Sequence, residues 1–260
     1  ITVQAKAGTL LADGSLSARG ASGTGGSVQL LGRQVGLVNA AQVDASGATG
    51  GGTVLIGGDY QGGNAAVQNA WRTYVSPAAT IRADALQQGD GGKVIVWADD
   101  ATRFYGKISA TGGTLAGNGG FVEVSGKGYL DFNGVVDTAA LNGSVGTLLL
   151  DPTNIEVVSG GTATLAQVNQ FTDPDLTASC AAFGNAACSR IAPTTINAAT
   201  ANVVLQATNN ILFTNAVSMT NPGWSLTATT QTGNITVNAP IVTANRTTSG
   251  TTGAVTLTAG

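Results

Sequence analysis

Apolar and polar residues alternate in short runs along this chain, and Gly, Asn or Ser separates one run from the next. Residues 119–150 show the pattern in miniature. Gly119-Gly120 leads into Phe121-Val122-Glu123-Val124, then Tyr129-Leu130-Asp131-Phe132, then Val135-Val136-Asp137-Thr138, and Gly146-Thr147-Leu148-Leu149-Leu150 starts the pattern over. Alternation with period two, bounded by turn residues, predicts short half-buried strands joined by tight turns.

The runs recur. A paired glycine with an aliphatic residue two places on stands at Gly26/Val28, Gly52/Val54, Gly92/Val94, Gly120/Val122 and, as a single glycine, Gly146/Leu148, in steps of 26, 40, 28 and 26 residues. A second landmark runs Leu16-Ser17-Ala18, Val43-Asp44-Ala45, Ile81-Arg82-Ala83, Ile108-Ser109-Ala110 and Val136-Asp137-Thr138, in steps of 27, 38, 27 and 28. Both series are long in the same place, so one insertion accounts for both, and residues 59–77 are the candidate. A period of this length signals a repeat architecture. Each period reads as one coil of an all-β, right-handed parallel β-helix, with an ordinary β-sandwich as the alternative.

Three zones follow. Residues 1–158 form the glycine-rich array, 159–195 an irregular excursion, and 196–260 a Thr/Asn-rich continuation with strands expected at 203–205, 211–213, 224–226, 235–237 and 255–257. In the excursion, Thr164 and Gln167 fit a capping box, and Leu165, Val168 and Phe171 fall at helical spacing, so a short helix ending before Pro174 is expected. The chain opens strand-like at Ile1-Thr2-Val3 and stops in mid-repeat, without a starting Met or polar caps. The expectation is a section of a longer protein.

Composition sharpens the repeat reading. There are 38 glycines and only 10% charged residues. Equivalent side chains of stacked coils lie about 4.8 Å apart, where like charges repel by roughly 1 kcal/mol even in water. Thr, Ser, Val and Ala avoid that cost, and Asn columns can hydrogen-bond. A net charge of −3 argues against a nucleic-acid partner. No apolar run approaches bilayer length.

Candidate chemistry is sparse. With no histidine, Ser–His and Cys–His machinery and histidine metal sites are excluded. Cys180 and Cys188 sit eight positions apart and suit a local disulfide of an exported protein; a metal or redox pair is the rival. Asp99, Asp100, Arg103 and Lys107, with Asp131, Asp137 and Asp151, are candidates for a polysaccharide-cleaving site, since such chemistry needs paired carboxylates. Asp99-Asp100 also lies between Trp97 and Phe104-Tyr105, where an acidic turn with packed aromatics is the plain alternative. Asp44 and Asp137 recur with the repeat and read as turn or column residues. Sequons stand at Asn142, Asn234 and Asn245, about as many as chance supplies. No cofactor or metal site is expected.

Residues 119–126 (Gly-Gly-Phe-Val-Glu-Val-Ser-Gly), 146–155 (Gly-Thr-Leu-Leu-Leu-Asp-Pro-Thr-Asn-Ile) and 196–211 resemble stretches of bacterial two-partner secretion exoproteins. The group meant is filamentous haemagglutinin-like and includes the high-molecular-weight adhesins and the haem–haemopexin utilisation exoprotein. The resemblance implies a right-handed β-helical shaft, exported through an outer-membrane partner and displayed at or shed from a Gram-negative surface. The family's N-P-N-type secretion motif does not stand here.

The reading is therefore a structural or adhesive shaft without catalysis. It would touch a protein or polysaccharide ligand on host, matrix or neighbouring cells, and its coils could add end to end. Tyr60, Trp71 and Tyr74 of the insertion and Phe183 of the cysteine loop are the candidate contact residues, because solenoid insertions project from one side. Equally, these segments could simply cover a flank. A carbohydrate-active enzyme and a haem or haemopexin binder are the alternatives.

Overall fold

The computed structural model describes residues 1–160, 171, 179–184, 186–221, 223–243 and 253–260. The protein is all-β, with parallel sheets and, among the described residues, a single α-helix, Pro193–Ala198. Apart from the antiparallel pair Ser179–Cys180 and Ala186–Ala187, the strands fall mainly into three ladders in which a strand pairs in parallel with its equivalents in the neighbouring repeats.

The first ladder runs from residues 2–5 and 27–30 through Thr53–Ile56, Lys93–Ala98, Phe121–Gly126 and Thr147–Leu150 to Asn202–Ala207, Leu226–Thr230 and Val255–Thr258, all parallel. Its register follows the glycine landmarks. Val28, Val54, Val94, Val122, Leu148, Val203 and Leu226 are successive Cα partners, and all seven are buried. Burying each such side chain is worth roughly 1.5–3 kcal/mol, so the column forms the core of the fold. The third ladder follows the second landmark, pairing Leu16 with Val43, Val43 with Ile81, Ile81 with Ile108 and Ile108 with Val136.

The glycine pairs mark the corner between these ladders. A Cβ on Gly91 would lie 2.1 Å from the Ala110 carbonyl oxygen, and one on Gly92 would lie 2.1 Å from that of Gly52. Neither has a positive φ. These pairs are glycines because neighbouring backbones approach too closely for a side chain.

The second ladder joins residues 9–12 and 34–37 to Arg72–Val75, Ala101–Phe104 and Tyr129–Phe132. Arg72–Val75 thus pairs in register with the repeats on both sides. The insertion is shorter than residues 59–77 and occupies the segment between Ile56 and Arg72. Phe104 and Phe132 stack in register, ring centroids 5.6 Å apart.

Among the described residues, the next strand in sequence after Ile155–Val157 to pair with the array is Ser189–Ile191. Ser189–Ile191 pairs in parallel with Ile155–Val157, which pairs in turn with Ile211–Phe213. The Leu130 N–H donates to Ser189 Oγ at 2.8 Å. The second ladder therefore carries one strand more than the first at this point. The helix Pro193–Ala198, with proline in its first turn, touches Val135–Asp137 on one side and Val217–Met219 on the other. It stands where the third ladder would place a strand. The helix expected over 164–171 falls, apart from Phe171, outside the described residues.

Asparagine columns form as anticipated. Asn154 Oδ1 accepts from the Asn210 N–H at 3.1 Å, and Asn210 Oδ1 from the Asn234 N–H at 3.0 Å. Asp44 and Asp137 accept from the N–H two residues on, both at 2.9 Å, which fixes them as turn residues.

Candidate functional site

The outward column of the first ladder explains where the insertion goes. Leu55, Ile95, Glu123 and Leu149 are successive register partners. They point away from the core yet are buried, and residues 57–71 lie over Leu55, Ile95 and Glu123. Trp97 packs with Leu55 and Ile95 under this cover, and Val67 and Phe121 pack against them.

Local chemistry shapes the loop. Gly57 turns at φ +76°, and its carbonyl accepts from the Ala70 N–H at 2.6 Å, closing the base. Asp59 caps the single turn Tyr60–Gly62, accepting from the Tyr60 N–H at 2.8 Å, from Asn64 Nδ2 at 2.8 Å and from Lys93 Nζ at 2.6 Å. Burial pushes the Asp59 carboxyl up, but these donors outweigh it and hold its pKa below the ordinary value. Gly62 sits at φ +61°, and a Cβ there would lie 2.7 Å from the Trp97 ring, so both its backbone and its surroundings call for glycine.

Gln61 is the clamp. At φ +51°, unusual for a residue with a side chain, it directs its N–H to both Glu123 oxygens at 3.2 and 3.1 Å. Its Nε2 donates to Asp151 Oδ2 at 3.0 Å. Burial pushes Glu123 up to about 7, against hydrogen bonds from Gln61 and Ser125. Burial likewise raises Asp151 to about 6, against the Gln61 amide. Burial raises the Tyr60 phenol as well, with the charges of Glu123 and Asp151 adding to the effect.

Two clefts flank Trp71. One of about 370 Å³ is lined by Lys6, Arg33, Gln68, Asn69, Trp71 and Asp99. The other, about 590 Å³, shares Asn69, Trp71 and Asp99 and adds Gln61, Trp97 and Lys127. Asp99 Oδ1 accepts from Trp97 Nε1 at 3.0 Å and from Asn69 Nδ2 at 3.1 Å.

The anticipated contact residues divide. Tyr60 and Trp71 are 46% and 48% exposed, whereas Tyr74, at 9%, is buried beside Val38, Tyr105 and Phe171. Tyr74 belongs to a paired strand and its ring meets Tyr105 edge-on, so its assignment to an open contact surface is corrected. Phe183 is half-buried in a short turn of the cysteine loop. Cys180 and Cys188 form a disulfide. Glu156 stands beside them at metal-ligand spacing, but the two sulfurs are bonded to each other.

Of the anticipated acids, the structure gathers Asp99 and Asp151 at the loop. Asp100 instead pairs with Arg72 Nε at 2.7 Å. Asp131 is buried and accepts from the Tyr105 hydroxyl, near the Arg103 charge. Lys107 is exposed on the third ladder, in register with Val135. Sequon Asn142 is exposed and donates to the Thr114 carbonyl; Asn245 lies outside the described residues.

Sequence reasoning missed Glu123 and Gln61. The signal for Glu123 lay in the register, which sets a carboxylate between Ile95 and Leu149 on a column that needs a cover. Gln61 carried no signal, because its role depends on the backbone path of the loop. No protein-family model and no curated protein matches this chain.

Proposed function

We propose that this chain is the shaft of a secreted adhesin of the two-partner secretion type: a right-handed parallel β-helix, carried to a Gram-negative surface by an outer-membrane partner, that binds without catalysis. The observation that carries the reading is the continuous parallel register of nine strands in the first ladder. Strands a whole repeat apart in sequence are neighbours, which is what winding about one axis produces. Eight steps of about 4.8 Å give a rod roughly 40 Å long over that ladder.

Binding is favoured over catalysis because the acids at the loop are engaged in holding the fold. Glu123 and Asp151 hold Gln61, and Asp99 holds Trp97 and Asn69. The loop with exposed Tyr60 and Trp71 is the projecting contact feature, and the ligand is carried by another cell, the host or the matrix.

Two measurements test this. Small-angle scattering should give the elongated profile of a rod, and a compact sphere-like profile would overturn the shaft. Beads coated with the chain should adhere to epithelial monolayers or matrix-coated plates, and adhesion should fall when residues 58–70 are replaced by a tight turn. Equal adhesion of coated and bare beads would remove the adhesive role.

A further inference from the structure

We propose that the two clefts flanking Trp71 form one groove for an acidic oligosaccharide, with the Trp71 indole as the platform for a sugar ring and Lys6, Arg33 and Lys127 as the sites for its anionic groups. This deepens the adhesive reading and rests on it.

The first support is the platform. Trp71 is the exposed indole of the loop region, at 48%, whereas Trp97 nearby is buried. Its backbone is pinned on both sides: its N–H donates to the Arg33 carbonyl at 2.7 Å, and its carbonyl accepts from the Asp100 N–H at 2.9 Å. A large aromatic on a fixed base offers apolar contact at little entropic cost. Sugar rings have apolar C–H faces that suit such a surface.

The second is the polar set. Asn69 and Asp99 line both clefts, with Gln68 at one end and Gln61 at the other. These are planar groups of the kind that fix the orientation of a ligand in a pocket. They are pre-set: Asn69 donates to the Gly62 carbonyl at 3.0 Å and to Asp99 Oδ1 at 3.1 Å, and Gln68 donates to the Lys6 carbonyl at 2.9 Å.

The third is charge. The linings hold three cations, Lys6, Arg33 and Lys127, against one anion, Asp99, in a chain whose net charge is −3. None of the three forms an ion pair among the described residues. Several cations elsewhere are matched, as Arg72 is by Asp100 and Lys93 by Asp59. Local excess cation beside an aromatic platform selects a ligand carrying carboxylate or sulfate, which guanidinium groups hold in bidentate fashion.

Calorimetric titration of the full chain with three hexasaccharides tests the groove: heparin-derived (sulfate), polygalacturonate-derived (carboxylate) and maltohexaose (neutral). At least one acidic hexamer should bind, about tenfold or more tighter than maltohexaose, and weaken as salt rises. Trp71→Ala should weaken that binding about tenfold and Trp71→Phe should restore part of it, while Arg33→Gln with Lys6→Gln should weaken only the acidic ligands. Because Trp71 is exposed, circular dichroism and scattering of the variants should match the parent. No acidic hexamer binding, binding unmoved by Trp71→Ala, or equal binding of maltohexaose would overturn the groove, as would tight binding of a protein ligand through Trp71 with no sugar response. A chain that scatters as a rod yet ignores both acidic hexamers overturns the groove alone, whereas compact scattering overturns the shaft.

Discussion

At Gly120, φ lies outside the left-handed region, yet a Cβ would lie 2.1 Å from the Gly92 carbonyl oxygen. Backbone cannot yield as a flexible side chain can, so Gly120→Ala should cost about 1–3 kcal/mol, the range of overpacking. Gly63→Ala, whose Cβ would stand 3.5 Å from its nearest neighbour, should stay within about 0.5 kcal/mol. Urea midpoints of the two variants check this. The glycine pairs were legible as landmarks in the sequence, but their cause was not, since a spacing does not tell a strained φ from a crowded corner. Glu123 supports a second prediction at this scale. Its folded pKa, pushed up to about 7 by burial, lies above the ordinary value of 4.5. Between those values the native state holds the proton that the unfolded chain has released, so stability falls as pH rises from about 4.5 to 7 and levels off above. Glu123→Gln should reduce that slope, leaving the variant more stable than the parent at about pH 7.5 and little changed at about pH 4, while Asp151, also raised by burial, keeps a smaller slope below about pH 6. Denaturation curves at the two pH values decide it, and an unchanged slope would show that Glu123 is not the titrating group.

The loop over the outward column of the first ladder is the element in which sequence and structure diverge most usefully. Its existence and approximate length followed from two landmark series that lengthen together. Its far boundary did not, because Arg72-Thr73-Tyr74-Val75 carries neither landmark and reads as irregular until its pairing with residues 34–37 and 101–104 is known. Tyr74 was misplaced for that reason: an aromatic beside exposed Trp71 in sequence stands on the next element in space. What holds the loop is polar. Gln61 ties it to Glu123 and Asp151, and Asp59 to Lys93, over a floor of Leu55, Ile95 and Trp97. Replacing residues 58–70 by a tight turn should uncover that floor. The shortened protein should bind a hydrophobic dye that the parent does not. It should also lose most of the stability slope between about pH 4.5 and 7, since water would then reach Glu123 and remove the burial that raises its pKa. A shortened chain with the parent's slope would place the source of the pH dependence elsewhere.

Over the whole molecule, each strand is covered mainly by its neighbours one repeat before and after, so stability adds up locally. Burial varies along the array: Lys93–Ala98 and Phe121–Gly126 are nearly all buried, whereas Val255–Thr258 is exposed throughout and Thr2–Ala12 mostly so. The excursion interrupts this order at one place, where Ser189–Ile191 enters the second ladder beside Ile155–Val157 and the disulfide 180–188 closes just before it. The cysteine spacing was readable as a small closed loop. That the loop delivers a strand into the array was not, because Ser189-Arg190-Ile191 has too few apolar positions to declare a period. Closing a loop of this size is worth roughly 2–3 kcal/mol in the chain-entropy model, and in a stack of local contacts that stabilisation should stay near where it is made. Hydrogen exchange on the Cys180→Ser/Cys188→Ser variant should therefore lose protection at Ser189–Ile191 and at Leu130, whose N–H donates to Ser189. Amides of Val28, Val54 and Val94, several strands away, should keep theirs. Uniform loss of protection along the chain would mean that the array opens as one cooperative unit, and the view of stability as a sum of nearest-neighbour terms would not hold for it.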